Sequence, residues 1–139
     1  LSAAANRWFD DACKLKEVGD FCALRNDWRG AYRSYGSSVE YMLKALYLRN
    51  TQQRSMPSHM RTAASHDLNF VAQQAGLGQA LGNLKGAQLF NWLTVRDWDQ
   101  GRRYPNQAFP VKEGKDFRLA LLQPELGIWQ WLLNEWHRT

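Results

Sequence analysis

Long apolar runs, paired cysteines and strand-like alternation are all missing from this sequence, and each absence removes a class of protein. Without a stretch of about twenty apolar residues, no membrane-spanning helix is expected. Arg7, Asp10 and Asp11 interrupt the first segment where a signal peptide needs an apolar core, so the expected location is the cytoplasm. Cys13 and Cys22 have neither CxxC spacing nor a neighbouring His, which points to free thiols and away from a zinc or redox site. No internal repeat or low-complexity tract is evident. Sustained period-two alternation is absent throughout, so an all-helical chain is expected.

What is present suits a folded, basic domain. With 139 residues, 45% hydrophobic and 22% charged, the chain can bury one sizeable core, and residues 1–139 are expected to form a single domain. A net charge of +5 favours an anionic partner such as nucleic acid or a nucleotide. Helical spacing predicts a first helix over about Ala3 to Val18, stopped by Gly19. A long second helix follows from about Asp27 to Asn50, its stripe made of Trp28, Ala31, Tyr35, Val39, Met42, Leu43, Leu46 and Tyr47. Gly36, Ser37 and Ser38 lie inside it, and such small residues let another backbone approach, so a helix crossing is expected there. Thr51 to Ser65 reads as a loop with at most one helical turn. Further helices are expected over His66 to Ala75, over Ala87 to Asp99, and from Lys115 onward with a break at Gln123 before Pro124. Arg102 to Gly114 reads as a second loop. Beyond Pro124, Leu126, Trp129, Leu132, Leu133 and Trp136 share a stripe that leaves Trp131 for another surface, such as a dimer contact.

Arg96, Arg102, Arg103 and Tyr104 carry the most suggestive chemistry. Guanidinium forks bind phosphates bidentately, and a tyrosine ring can stack on a base. Asp97 and Asp99 beside them leave a second reading open, a solvated rim in which the arginines are neutralised. Glu40 and Lys44, four residues apart on the second helix, read either as an exposed ion pair or as groove residues that hold a ligand or a basic group. His66 and Asp67 open the third helix in this reading, as a cap or, alternatively, as ligand-binding groups. Neither has a further ligand at metal-binding spacing, so no metal and no cofactor are expected.

Three segments in order resemble the HEPN family (higher eukaryotes and prokaryotes nucleotide-binding): Ala31-Tyr32 through Val39-Glu40-Tyr41-Met42-Leu43-Lys44-Ala45-Leu46, then His66-Asp67-Leu68, then Arg96 with Arg103-Tyr104-Pro105. The resemblance covers about Asp27 to Pro105. It implies an up-and-down bundle of about five helices, commonly paired into a homodimer with a ligand groove near the interface. It also implies a nucleotide or RNA as ligand, with Glu40, Lys44, His66, Asp67, Arg96, Arg102, Arg103 and Tyr104 as the site. A nucleotidyltransferase-like partner in a two-component, toxin-antitoxin or defence-type system fits the same resemblance.

Ribonuclease members carry an Arg followed after four to six residues by a His on the late helix. Arg96 matches the Arg, but Gly101, Arg102 and Arg103 occupy the three distances, so no catalytic residue is assigned and a binding module is expected. Two Arg-x4-His strings lie elsewhere, Arg54 to His59 and Arg61 to His66. They keep open a metal-independent endoribonuclease with a displaced pair. A dimerisation or protein-interaction module is the third reading.

Overall fold

A computed structural model describes residues 2–99 and 109–138. Within them the chain is helical throughout: α1 (Ala3–Leu24), α2 (Trp28–Thr51), α3 (Leu68–Gln74), α4 (Gly78–Gly82), α5 (Gly86–Arg96), α6 (Val111–Leu122) and α7 (Ile128–His137). Two 3-10 turns, Ser58–Met60 and Ala63–His66, lie between α2 and α3. The all-helical expectation holds, but seven α-helices among the described residues replace the expected five. The added elements are short. α4, from Gly78 to Gly82, was not expected, and the polar loop after α2 contains two tight turns instead of at most one.

α1 and α2 form a hairpin in which early α1 residues meet late α2 residues. Trp8 lies against Tyr41 and Lys44, and Gly19 lies against Tyr35. Side-chain caps set both starts. Ser2 accepts the Ala5 N–H at 3.1 Å and Asp27 accepts the Gly30 N–H at 2.9 Å, each relieving a donor that the helix itself cannot satisfy. Asn26, with φ of 60°, turns the chain between them.

Gly19 does not stop α1, which continues to Leu24. A Cβ there would stand 2.5 Å from the Tyr35 ring, so the glycine makes room for a buried tyrosine of α2. The Tyr35 hydroxyl donates to Asp20 at 2.6 Å and accepts from Arg118 Nε at 3.2 Å, fastening α1, α2 and α6 at one point. At Gly36 the neighbour is an indole and not the expected crossing helix. Trp98 packs where a Cβ would lie only 1.9 Å from its ring, and its Nε1 donates to the Tyr32 carbonyl at 3.1 Å. The chain thus fills its own small-residue gap at Gly36, which removes that gap as an argument for a dimer contact.

α2 is the central helix. Every residue from Ala31 to Leu48 apart from Arg33, Ser34, Ser37 and Tyr41 is buried, because α1, α3, α6 and α7 all pack on it. The predicted stripe is buried from Ala31 to Tyr47, with Trp28 at its edge half-buried. α6 starts at Val111, four residues before the expected position. Pro124 sits in the turn after α6, and α7 starts only at Ile128. Buried Asn91 of α5 holds that turn by donating to Gln123 Oε1 and the Leu126 carbonyl, both at 3.0 Å. Arg49 near the end of α2 donates to the carbonyls of Glu135 and Trp136, satisfying the last turn of α7.

Candidate functional site

Glu40 and Lys44 are not an exposed pair. Both are buried, at 3% and 4% exposure, on the face of α2 that meets α1 and the 3-10 turn Ala63–His66. Burying two charges is costly unless each finds opposite charge and hydrogen bonds, and here each does. Lys44 Nζ donates to Glu40 Oε2 at 2.7 Å and to Ser65 Oγ at 3.4 Å, and it lies 5.6 Å from the centre of the Trp8 ring. Ser65 in turn donates to the Thr62 carbonyl at 2.7 Å. On the other side of the carboxylate, His66 Nδ1 stands 3.0 Å and 3.2 Å from the two Glu40 oxygens. The exposed-pair reading is thereby excluded: Glu40 is buried and holds one lysine and one histidine at once.

A carboxylate oxygen accepts, so His66 Nδ1 donates, and the tautomer is set by the partner. Nε2 is left without a hydrogen bond among the described residues, on a side chain 41% exposed. His66 closes the 3-10 turn and does not open α3. Asp67 alone caps α3, accepting the Phe70 N–H at 2.9 Å, which agrees with its expected capping role.

His66 forms part of the wall of two cavities. The first, about 500 Å³, is lined by Arg7 and Trp8 of α1, Glu40, Tyr41 and Lys44 of α2, and Arg54, Arg61 and Ser65 of the loop that follows. Arg7, Arg54 and Arg61 are exposed, and no ion pair or hydrogen bond engages any of them among the described residues. The only carboxylate in this wall among the described residues, Glu40, is already taken up by Lys44 and His66. The second cavity, about 520 Å³, is lined by Asp67, Arg96, Asp97, Trp98 and Asp99. Among the described residues three aspartates and one arginine line it. A further cavity, about 790 Å³, adjoins the first and shares Ala4, Arg7 and Arg54 with it.

The structure thus brings Glu40, Lys44 and His66 together on one side, and Asp67 and Arg96 on the other side of the same imidazole. Arg102, Arg103 and Tyr104 lie outside the described residues. The sequence reading did not place Arg7 or Trp8 at the site, and it named Arg54 and Arg61 only in the two Arg-x4-His strings. A signal for two of them existed: between Glu40 and Asp67 there is no carboxylate, while Lys44, Arg49, Arg54 and Arg61 all fall in that stretch. Of the two Arg-x4-His strings, only Arg61 and His66 share a cavity. His59 turns instead onto the edge of Tyr47, with ring centres 6.3 Å apart.

The cysteines do not compete for the chemistry. Burial pushes both thiols above their ordinary range, with Asp10 adding to the effect at Cys13 and Asp27 at Cys22, so neither is an activated nucleophile. Among the described residues no group of three His, Cys, Asp or Glu side chains is placed to hold a metal ion, and no helix is long and apolar enough to cross a membrane. No protein family's model matches the chain, and neither a curated protein nor a solved structure matches it.

Proposed function

We propose that this chain is a HEPN-like module that binds a phosphate-bearing ligand, a nucleotide or RNA, in the basic cavity beside His66. One observation carries the reading: three unpaired guanidinium groups, Arg7, Arg54 and Arg61, line one cavity whose single carboxylate is already neutralised. Guanidinium bound to phosphate by charge-assisted hydrogen bonds is the strongest use of such an arrangement, and a cationic ligand has nothing to gain there. On this reading the module works as a homodimer, in a two-component system with a nucleotidyltransferase-like protein. Binding of labelled RNA and nucleotides, followed by fluorescence anisotropy, tests it. Arg54→Ala with Arg61→Ala is expected to weaken binding about tenfold or more. Arg102→Ala with Arg103→Ala should weaken it several-fold if the segment after α5 contributes to the same site. A parent protein that binds neither RNA nor nucleotide removes the reading and leaves a protein-interaction module. Light scattering checks the dimer, which a monomeric mass at tens of micromolar excludes.

A specific geometry favours a second reading, the metal-independent endoribonuclease. Glu40 orients His66 through Nδ1, leaving Nε2 as a base toward a 2′-hydroxyl, with Arg61 of the same cavity available to a phosphate. Cleavage of mixed RNA by the metal-free protein, lost in His66→Ala, selects this reading. Binding without cleavage selects the module.

A further inference from the structure

The basic cavity does not end at the phosphate site beside His66. Ala4, Arg7 and Arg54 also line the neighbouring cavity, so the two adjoin along the start of α1 and the end of α2, and together they are treated as one furrow. Cations are distributed along this furrow instead of being clustered at one point. Arg61 is at the His66 end, and Arg7 and Arg54 are at the junction. Arg49, in the far cavity, is committed to the carbonyls of Glu135 and Trp136. Two free cations shared by adjoining cavities suit a ligand that continues from one into the other, which a mononucleotide does not.

Part of the same cavity wall is aromatic. Trp8 and Tyr41 are both half-buried, line the cavity beside Arg7 and Arg61, and lie with ring centres 4.7 Å apart at 59°. A partly exposed indole beside unpaired arginines meets two demands of one ligand class, a π-face for a base and positive charge for its phosphates. A duplex keeps its base faces stacked inside and offers none to Trp8. A polyanion without bases uses the arginines alone.

Resting on the reading of this cavity as a phosphate site, we infer that the furrow takes a single strand of nucleic acid. One unpaired base lies against Trp8 and Tyr41, and the flanking phosphates meet Arg61 on one side and Arg7 with Arg54 on the other. Four probes of matched length separate the contributions: labelled octamers of uridylate and deoxythymidylate, an octamer of abasic deoxyribose phosphate, and an eight-base-pair duplex. The single strand with bases, in either sugar chemistry, is expected to bind about tenfold more tightly than the abasic strand or the duplex, the scale of one base stacked on an aromatic ring. Trp8→Leu should bring the base-bearing strand down to the abasic level, while Trp8→Phe retains most of the difference. Arg7→Ala should reduce the slope of log affinity against log salt by about 0.7, one phosphate of a single strand. Equal binding of the abasic strand or the duplex overturns the single-strand inference and leaves the phosphate site standing. Failure of all four probes removes both. The comparison of strands needs no variant, so it decides the matter even if Trp8→Leu fails to fold.

Discussion

The two cavities that meet at His66 differ by only about 20 Å³ in volume but present opposite walls. On one side Arg7, Arg54 and Arg61 face a carboxylate that Lys44 and His66 have already neutralised. On the other, Arg96 faces Asp67, Asp97 and Asp99. An anion gains from the first wall, whereas the second, among the described residues, sets Arg96 beside three aspartates. A carboxylate's effect on a ligand site depends on whether cations already hold it, and Lys44 and His66 hold Glu40. Glu40 is the pivot, because without its pairing the basic wall would carry a free negative charge.

Removing that pivot has the largest expected effect. Glu40→Gln leaves Lys44 buried without its counter-charge and should cost about 3–5 kcal/mol in denaturant unfolding, the usual penalty for breaking a buried pair. A loss below 1 kcal/mol means that the pair is not buried in solution. Gly36→Ala attacks the acidic cavity alone, because Trp98 forms part of its wall and rests on Gly36. The added methyl must displace the indole, and a loss of about 1–3 kcal/mol is expected with unchanged affinity at the basic cavity. Unaltered thermal stability would contradict the close packing of Trp98. The smallest effect tests the contrast of charge. Asp97→Asn removes one carboxylate from the acidic wall and should change affinity for RNA by no more than about twofold, as for a solvated charge at the edge of a site. A tenfold change would move the site to that wall.

An independent check lies in the hydroxyl that fastens α1, α2 and α6. Burial first, and then the hydrogen bond to Asp20, push the Tyr35 hydroxyl up from its ordinary value of 10.0. Its proton is held more tightly in the folded state than in the unfolded state. The stabilisation is therefore complete below about pH 10 and is lost as pH rises past the unfolded value. In Tyr35→Phe that alkaline loss should flatten. An unchanged pH profile of unfolding between parent and variant would remove this contribution.

Much of the fold was legible because periodicity is a local signal. The stripe from Ala31 to Tyr47 marked α2, and Asp67 marked the start of α3 from one residue's capping chemistry. Gly19 and Gly36 were misread for a physical reason. A glycine that ends a helix and one that admits a distant ring look alike until the ring's origin is known, and Tyr35 and Trp98 lie 16 and 62 residues away in sequence. The pairing of Glu40 with Lys44 followed from their spacing, but whether water reaches them depends on α1 and the turn before α3, which no spacing reveals. Arg7 belonged to the site only through the α1–α2 hairpin. Arg54 and Arg61 were visible as a carboxylate-free stretch, yet reading them as site residues required His66 to be seen folded back on Glu40.

On the proposed reading, phosphate enters the cavity of Arg7, Arg54 and Arg61 and avoids the one beside Arg96. Side-chain Nε–Hε resonances of the arginines, followed by NMR while inorganic pyrophosphate is added, test it most directly. Arg7, Arg54 and Arg61 are expected to shift together with saturation, the His66 ring signals moving with them, while Arg96 stays in place. Saturable shifts at Arg96 with Arg7, Arg54 and Arg61 unmoved would contradict the claim.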